Sequence, residues 1–153
     1  MLEPVWNTTI SIDTTPDEDQ PTYAELCAGI ENFDDAMNEQ TQQYFFMCGK
    51  GWAHNEVTGA APAITVTGKR VHGDAAQDWI AGQQYKLARD RYTRVKIVST
   101  FTDPAVKAEK TVTITCHATM TAINAAVLGS AKDNKGFSVT LSLNGKPEVE
   151  TAA

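Results

Sequence analysis

Residue pairs at metal-ligand spacing are missing from this 153-residue sequence. Its three cysteines, Cys27, Cys48 and Cys116, form no C-x-x-C pair, and an odd number leaves at least one thiol unpaired. The three histidines show none of the pair spacings that zinc sites use. We therefore expect the cysteines to be small buried side chains in a reducing compartment, with no metal ion and no cofactor.

Catalytic motifs are also lacking. No glycine-rich phosphate loop follows a strand and opens a helix, and neither G-x-S-x-G nor H-E-x-x-H occurs. Asp34 and Asp35 are conceivable as an acid–base or cation pair, but adjacent residues of an extended chain point to opposite sides. The sequence predicts solvated acids at both positions and a protein that is not an enzyme.

Long apolar segments are scarce. The amino-terminal residues MLEPVWNTT contain neither a basic nor an apolar signal region, so we expect no secretion signal. The 21 residues between Lys110 and Lys132 are uncharged and long enough to span a bilayer. They alternate threonine with apolar residues, however, which is typical of a two-faced strand and unsuited to lipid. We expect no membrane contact.

Basic residues are nearly absent from the first 60 positions, where Lys50 stands against eleven acids for a net charge of −10. The remainder carries +4, which gives the whole chain −6. An acidic chain is repelled by phosphates, which argues against ordinary nucleic-acid binding. The split fits either an acidic surface that meets a basic surface on another copy, or a solvated surface with an accidental asymmetry.

Residues 61–87 give the clearest local signals. Ile64, Val66 and Gly68 alternate with polar residues, which predicts a half-buried strand. Asp74 then has the character of a helix N-cap, with Gln77 at the capping-box position. Helical spacing of apolar residues beyond it predicts one amphipathic helix over about 74–88.

The other segments predict strand and loop. We expect strands at residues 5–12, 44–47, 95–101, 111–127 and 137–143, a long acidic loop at 31–43, and further loops at 53–61 and 128–136. Residues 1–4 are expected to form an amino-terminal arm, and Asn144 to Pro147 to end the last strand. The tail at 148–153 is then unanchored. The predicted fold is a single mainly β domain, a β-sandwich or open barrel of six or seven strands with one flanking helix.

The order of these signals resembles the major tail tube protein of phages with long non-contractile tails. The resemblance rests on Trp6 near the start of a first strand, Val57-Thr-Gly59, the strand ending in Lys69-Arg70, the helix start at Gly73-Asp-Ala-Ala-Gln77, and the terminal Asn144-Gly-Lys-Pro147. It spans nearly the whole chain. Residues 124–135 depart from the pattern because they lack the expected glycine-rich stretch, which leaves the strand boundary there open.

The resemblance implies a virion protein, assembled in the host bacterial cytoplasm, that forms hexameric rings. The rings stack into a tail tube with a polar or acidic lumen, through which DNA passes without specific binding. Its partners would be copies of itself, a tape measure protein, a tail terminator and a distal tail protein.

Within the assembly that the resemblance implies, charge and strand pattern select candidate residues for these roles. The candidate contacts between subunits or rings are Glu31, Asp34, Asp35, Glu39 and Glu56 against Arg89, Arg91 and Arg94. The candidate lumen-facing positions are Thr111, Thr113, Thr115, Thr119 and Thr121. The basic patch around Arg91 is also compatible with a nucleic-acid site or a solvated turn, although the overall acidity disfavours the former. The alternative function is a β-sandwich module that binds carbohydrate or peptide.

Overall fold

A computed structural model describes residues 2–125 and 134–152. The strands are β1 (Thr8–Asp13), β2 (Tyr23–Glu25), β3 (Ile30–Ala36), β4 (Gln40–Phe45), β5 (Ala53–Gly59), β6 (Ala63–Lys69), β7 (Tyr92–Asp103), β8 (Ala108–Asn124) and β9 (Gly136–Ala152). The described residues contain one α-helix, α1 (Ala75–Gly82), and three short 3-10 turns, Val5–Asn7, Met47–Gly49 and Ala88–Arg91.

Seven strands form one antiparallel sheet in the order β2-β1-β7-β8-β9-β6-β3. The sheet curls into a half-barrel, and β4 and β5 pair separately as a two-stranded hairpin. The prediction of a mainly β open barrel with one helix is therefore confirmed.

The core fills the concave face of the curled sheet. Alternate residues of the central strands point inward, among them Val95, Met120, Val139 and Leu141, and all four are buried. Ile80 of α1 belongs to the same cluster, so the helix covers this face. The period-two pattern at Ile64 and Val66 is confirmed.

The helix begins as predicted and ends early. The backbone N–H of Gln77 donates to the Asp74 carboxylate at 3.2 Å, which confirms the N-cap. The helix stops at Gly82, and Leu87 is 80% exposed, so the prediction of a helix to residue 88 is wrong. The carbonyls of Gln84 and Lys86 accept hydrogen bonds from Arg91, which holds this segment in a turn.

The predicted acidic loop at 31–43 is wrong because all of these residues except 37–39 belong to β3 and β4. β3 is an edge strand that pairs with β6, and its exposed acids suit an edge that must not aggregate. The predicted loop at 53–61 is wrong in the same way, since Ala53–Gly59 is β5. The strands of the hairpin show no alternation of apolar and polar residues, because none of their residues is buried.

The carboxyl-terminal segment is anchored, contrary to expectation. β9 continues through Asn144 to Pro147, where Gly145 takes a φ of +80° and the register against β8 shifts. Residues 148–152 then pair with residues 111–115 of β8. A local irregularity accommodates the turn-forming residues without ending the strand.

Other boundaries differ in detail. Residues 5–7 form a 3-10 turn before β1, and β8 begins at Ala108, three residues earlier than predicted. Cys116 is buried as expected, whereas Cys27 and Cys48 are exposed. The predicted loop at 128–136 and the doubtful boundary at 124–135 lie largely outside the described residues.

Candidate assembly surfaces

The predicted lumen positions share one face of the sheet, on the side away from α1. Thr111, Thr113, Thr115, Thr119 and Thr121 alternate with the inward-facing residues of β8. We call this side of β7, β8 and β9 the polar face. Thr119 accepts a hydrogen bond from Asn144 at 2.8 Å, so the side chains of neighbouring strands also interact there.

The polar face carries charges of both signs. Lys96 of β7 lies opposite Thr115, which in turn lies opposite Glu148 of β9. Thr113 likewise lies opposite Glu150. The face is therefore polar and mixed in charge rather than purely acidic.

The Arg91 side chain is held by hydrogen bonds within its own chain. Its guanidinium donates to the carbonyls of Lys86 at 2.8 Å, Gln84 at 2.6 Å and Met120 at 3.3 Å. A guanidinium bound to three carbonyls ties the segment after α1 to β8.

The Arg94 side chain is half-buried and has partners within its own chain, whereas the Arg89 side chain is exposed. Arg94 lies 3.7 Å from the Asp13 carboxylate and donates to the Glu18 carbonyl at 3.3 Å. Asp13 is fully buried, and its other oxygen accepts from the backbone N–H groups of Thr15 and Thr22. Burial, with the nearby Asp13 charge, raises the pKa of Tyr23.

The predicted acidic contacts line the β3 edge and the hairpin. Glu31, Asp34 and Asp35 are exposed on β3, Glu39 lies between β3 and β4, and Glu56 is exposed on β5. The structure thus gathers these acids along one connected segment. It gives no contact between them and the three arginines within the chain.

The hairpin of β4 and β5 was not predicted as a hairpin; of the strand predicted at 44–47, only Tyr44 and Phe45 belong to β4. Every residue of both strands is exposed. Tyr44 stacks on Phe46 with ring centroids 5.7 Å apart, and Phe46 lies 5.9 Å from the His54 ring. The apolar run at 44–47 followed by Gly-Lys-Gly was the available signal for its turn.

A groove of about 530 Å³ opens at the base of this hairpin. Its lining includes Ile64, Ile97, Ile114, Leu143 and Val149. We call it the base groove. Sequence reasoning did not find it, because it arises where strands distant in sequence run beyond the cover of α1.

Two surface carboxylates have strong local partners. Lys110 Nζ lies 2.7 Å from Asp103, and this hydrogen bond lowers the pKa of that carboxyl. Arg70 lies 2.8 Å from Asp78 and lowers its pKa in the same way. Burial raises the pKa of the Cys116 thiol.

Features of other site classes are absent from the described part of the chain. Residues 2–125 and 134–152 contain no group of three or more His, Cys, Asp or Glu side chains placed to hold a metal ion. Nor do those residues form a helix long and apolar enough to cross a membrane.

Solved structures with the same fold come from tail and tube assemblies. A chain from the tail of an empty gene transfer agent particle, refined with C6 symmetry, is 12% identical over 97% of this chain and 99% of its own, with a TM-score of 0.69. A chain of the anti-feeding prophage cap, the tube terminating cap, is 18% identical over 99% and 93%, with a TM-score of 0.56. A chain of the sheath–tube complex of an extracellular contractile injection system is 16% identical over 99% and 92%, with a TM-score of 0.54.

Sequence comparisons add no relative: no protein-family profile and no curated protein matches this chain. The structural likeness at this low identity concerns the fold. It covers nearly the full length of both partners in each comparison. The chain therefore has the fold found in subunits of phage-like tails and injection tubes.

Proposed function

We propose that this protein is a structural subunit that polymerises into the tube of a phage-like tail. The observation that carries the proposal is a whole-length fold shared with chains of such tails and tubes, in a chain whose β4–β5 hairpin has no partner surface within the described residues. A structural role also agrees with the absence of catalytic motifs from the sequence.

The subunits form hexameric rings that stack head to tail, and the polar face lines the lumen. Threonine hydroxyls and balanced charges suit a channel that DNA crosses, because net phosphate neutralisation would hold the DNA in place. Head-to-tail stacking buries different surfaces on the two sides of each ring, as an open polymer requires. The tail is non-contractile, and its partners are a tape measure, a terminator and a distal tail protein.

The charged side chains indicate which surfaces of two neighbouring copies meet. The acids of β3 and the hairpin meet Arg89 and Arg94 of a neighbour, since opposite potentials guide association. Arg91 contributes less to this contact than its exposed neighbour Arg89, because its guanidinium already binds three carbonyls.

Negative-stain electron microscopy of the concentrated, purified protein tests the proposal. We expect to see rings of six subunits, or tubes built from such rings. A protein that stays monomeric by sedimentation at every salt concentration and pH contradicts it.

The second candidate, a module that binds carbohydrate or peptide, is favoured by one observation. Phe45 and Trp52, both well exposed, lie at the end of the hairpin, where such modules often carry aromatic side chains. A monomer that binds glycans and loses binding when Trp52 is replaced would support this function instead.

A further inference from the structure

An Asn-Gly pair lies in the irregular part of β9. Asn144-Gly145 is the only such pair in the sequence. A backbone nitrogen that follows an asparagine can attack the side-chain carbonyl of that asparagine, and glycine hinders this attack least because it has no Cβ. Both residues are exposed, and the Asn144 side chain lies on the polar face. The pair is therefore a candidate site of self-modification.

The backbone at this pair departs from regular strand pairing. The register between β8 and β9 shifts here, and residues 145–147 lie opposite Cys116 alone. Gly145 takes a φ of +80°, and a Cβ added to it would meet nothing within 4 Å. The chain therefore has room at Gly145 to close the cyclic imide that such an attack forms.

The reacting groups of the pair are held in place by hydrogen bonds. The Nδ2 of Asn144 donates to Thr119 Oγ1 at 2.8 Å, which directs the amide nitrogen towards β8. The Cys116 thiol donates to the Asn144 backbone carbonyl at 3.5 Å, and this carbonyl belongs to the peptide unit that supplies the Gly145 nitrogen. Groups that are positioned before a reaction lose less entropy when they react.

The surroundings of the pair are mainly basic. A cleft of about 200 Å³ beside it is lined by Arg94, His117 and Lys146, against the acid Glu148. His117 lies directly opposite Asn144, and residues in such positions have Cβ atoms roughly 5 Å apart. Cations near a reacting amide stabilise the negative charge that develops on its oxygen, and an imidazole exchanges protons near neutral pH. The cleft therefore favours ring closure.

We propose that Asn144 modifies itself in the folded protein and that this cleft accelerates the reaction. The Gly145 nitrogen forms a bond to Asn144 Cγ and gives its proton to His117. The bond between Cγ and Nδ2 then breaks, and the nitrogen leaves as ammonia with that proton. Water opens the imide at one of its two carbonyls, which leaves aspartate or isoaspartate at position 144. The reaction consumes one water, releases one ammonia and changes no oxidation state.

The product places a carboxylate on the polar face, in the same cleft as Glu148. The net charge of the chain, −6 before the reaction, becomes more negative by one unit. The modification does not require assembly, because all the participating residues belong to one chain. Its consequence does rest on the proposed tube function: the lumen becomes more acidic as the particle ages, and a more acidic wall repels phosphate more strongly.

Peptide mapping by mass spectrometry, after the monomer is incubated at physiological temperature and pH, tests the inference. We expect conversion of the amide to an acid at position 144, at least tenfold faster than at Asn38. Asn38 is the matched internal control, because it is also exposed and its amide also donates a hydrogen bond, to the Ala61 carbonyl at 3.0 Å, but it is followed by Glu39. Modified monomers should elute from an anion-exchange column with the Asn144→Asp variant.

The His117→Gln variant tests the part played by the cleft. We expect its folded chain to react at least threefold more slowly than the folded parent. In urea the two chains should react at the same rate, because His117 is distant from Asn144 along the sequence. Equal rates in the folded state would overturn the inference. A parent that reacts in urea but not when folded would show that the fold protects Asn144, and would overturn it as well.

The remaining outcomes separate this inference from its alternatives. A product that has lost ammonia without gaining water, and that is absent from a Thr119→Val variant, would be an ester between Thr119 and Asn144 and would overturn the imide route. Rings or tubes whose subunits stay unmodified at position 144 would overturn the inference while leaving the tube function standing. Modified chains that never assemble would support the inference and contradict the tube function alone.

Discussion

Gln77 connects three segments of the chain with one buried side chain. Its Oε1 accepts from the Val71 backbone at 2.8 Å, and its Nε2 donates to the carbonyls of Ala28 at 2.8 Å and Lys69 at 3.1 Å. The sequence predicted a capping-box residue here, and the side chain instead fastens α1 to β6 and to the turn before β3. A residue type can signal a helix start without revealing which partners its side chain takes.

Replacing Gln77 by Ala leaves these three backbone groups without their partner. We expect the free energy of unfolding to fall by about 3 kcal/mol, because each buried polar group left unpaired costs on the order of 1 kcal/mol or more. Urea denaturation, at a protein concentration where the chain is monomeric, measures this change in the free energy of unfolding. Gln20→Ala, at an exposed position, should stay within about 0.5 kcal/mol of the parent.

Gly68 is required where β6 meets the turn before β3. A Cβ at this position would overlap the carbonyl oxygen of Gly29 and lie 2.7 Å from Ile30 Cα, and both are backbone atoms. Gly68→Ala should therefore destabilise the monomer by about 2 kcal/mol through overpacking.

The matched control for Gly68 is Gly82→Ala, where an added Cβ meets nothing within 4 Å at the end of α1. Alanine there should be neutral or stabilise by up to about 1 kcal/mol. If both alanine variants lowered the melting temperature by a similar amount, the close approach of β6 to Gly29 would not be what limits side-chain size at position 68.

At the scale of elements, success and failure of the sequence analysis have one physical cause. Strands with a buried face, such as β6 around Val66, show alternation because only one side meets the core. The hairpin strands β4 and β5 have no buried side, so Thr41 to Gln43 carry no period and were predicted to be loop, although the apolar run from Tyr44 predicted a strand. The segment 148–152 is paired although it is mostly polar, because its hydrogen bonds to β8 depend on backbone rather than on side chains.

The segment after α1 depends on Arg91 for its shape. Arg91→Ala removes charged hydrogen bonds to three carbonyls, and we expect it to lower the free energy of unfolding by about 2 kcal/mol. The exposed neighbour gives the control, since Arg89→Ala should change the monomer by less than about 0.5 kcal/mol. An Arg91→Ala variant as stable as the parent in denaturant titration would instead leave Arg91 available for contacts between copies.

The turn between β7 and β8 adds a dependence on pH. The Lys110 hydrogen bond lowers the pKa of Asp103 in the folded chain, so the ionised carboxylate favours folding. This contribution is present above the unfolded pKa of about 4 and is lost as the pH falls through the lower folded value. Melting curves between about pH 2 and 6 should show a smaller acid-induced decline for Asp103→Asn than for the parent, and parallel declines would contradict the assignment.

At the scale of the whole molecule, the charge split seen in the sequence becomes a spatial arrangement. Five of the eleven acids of the first 60 residues lie on the β3 edge and the hairpin, namely Glu31, Asp34, Asp35, Glu39 and Glu56. Among the bases that follow, Lys86, Arg89 and Arg91 lie in the segment after α1, and Arg94 and Lys96 lie on β7. The composition predicted two charged regions, but only the folded sheet shows that Arg91, Arg94 and Lys96 have partners within the chain. Lys96 lies over the Tyr23 ring at 5.4 Å and Arg94 lies near Asp13.

Because these basic side chains have partners within the chain, they are less available to bind DNA phosphates. The polar face is mixed in sign and the chain carries a net charge of −6, so the protein as a whole repels phosphates. We expect no rise in the anisotropy of a labelled 20-base-pair duplex at about 0.15 M salt, since affinity depends on the number of phosphates that a protein neutralises. Glu148→Lys with Glu150→Lys changes the charge of the polar face by four units and should create binding that weakens steeply as salt rises. Tight binding by the parent with that same salt dependence would mean that Arg94 and Lys96 are free to bind the duplex, and it would contradict the proposal that the polar face lines a channel for DNA.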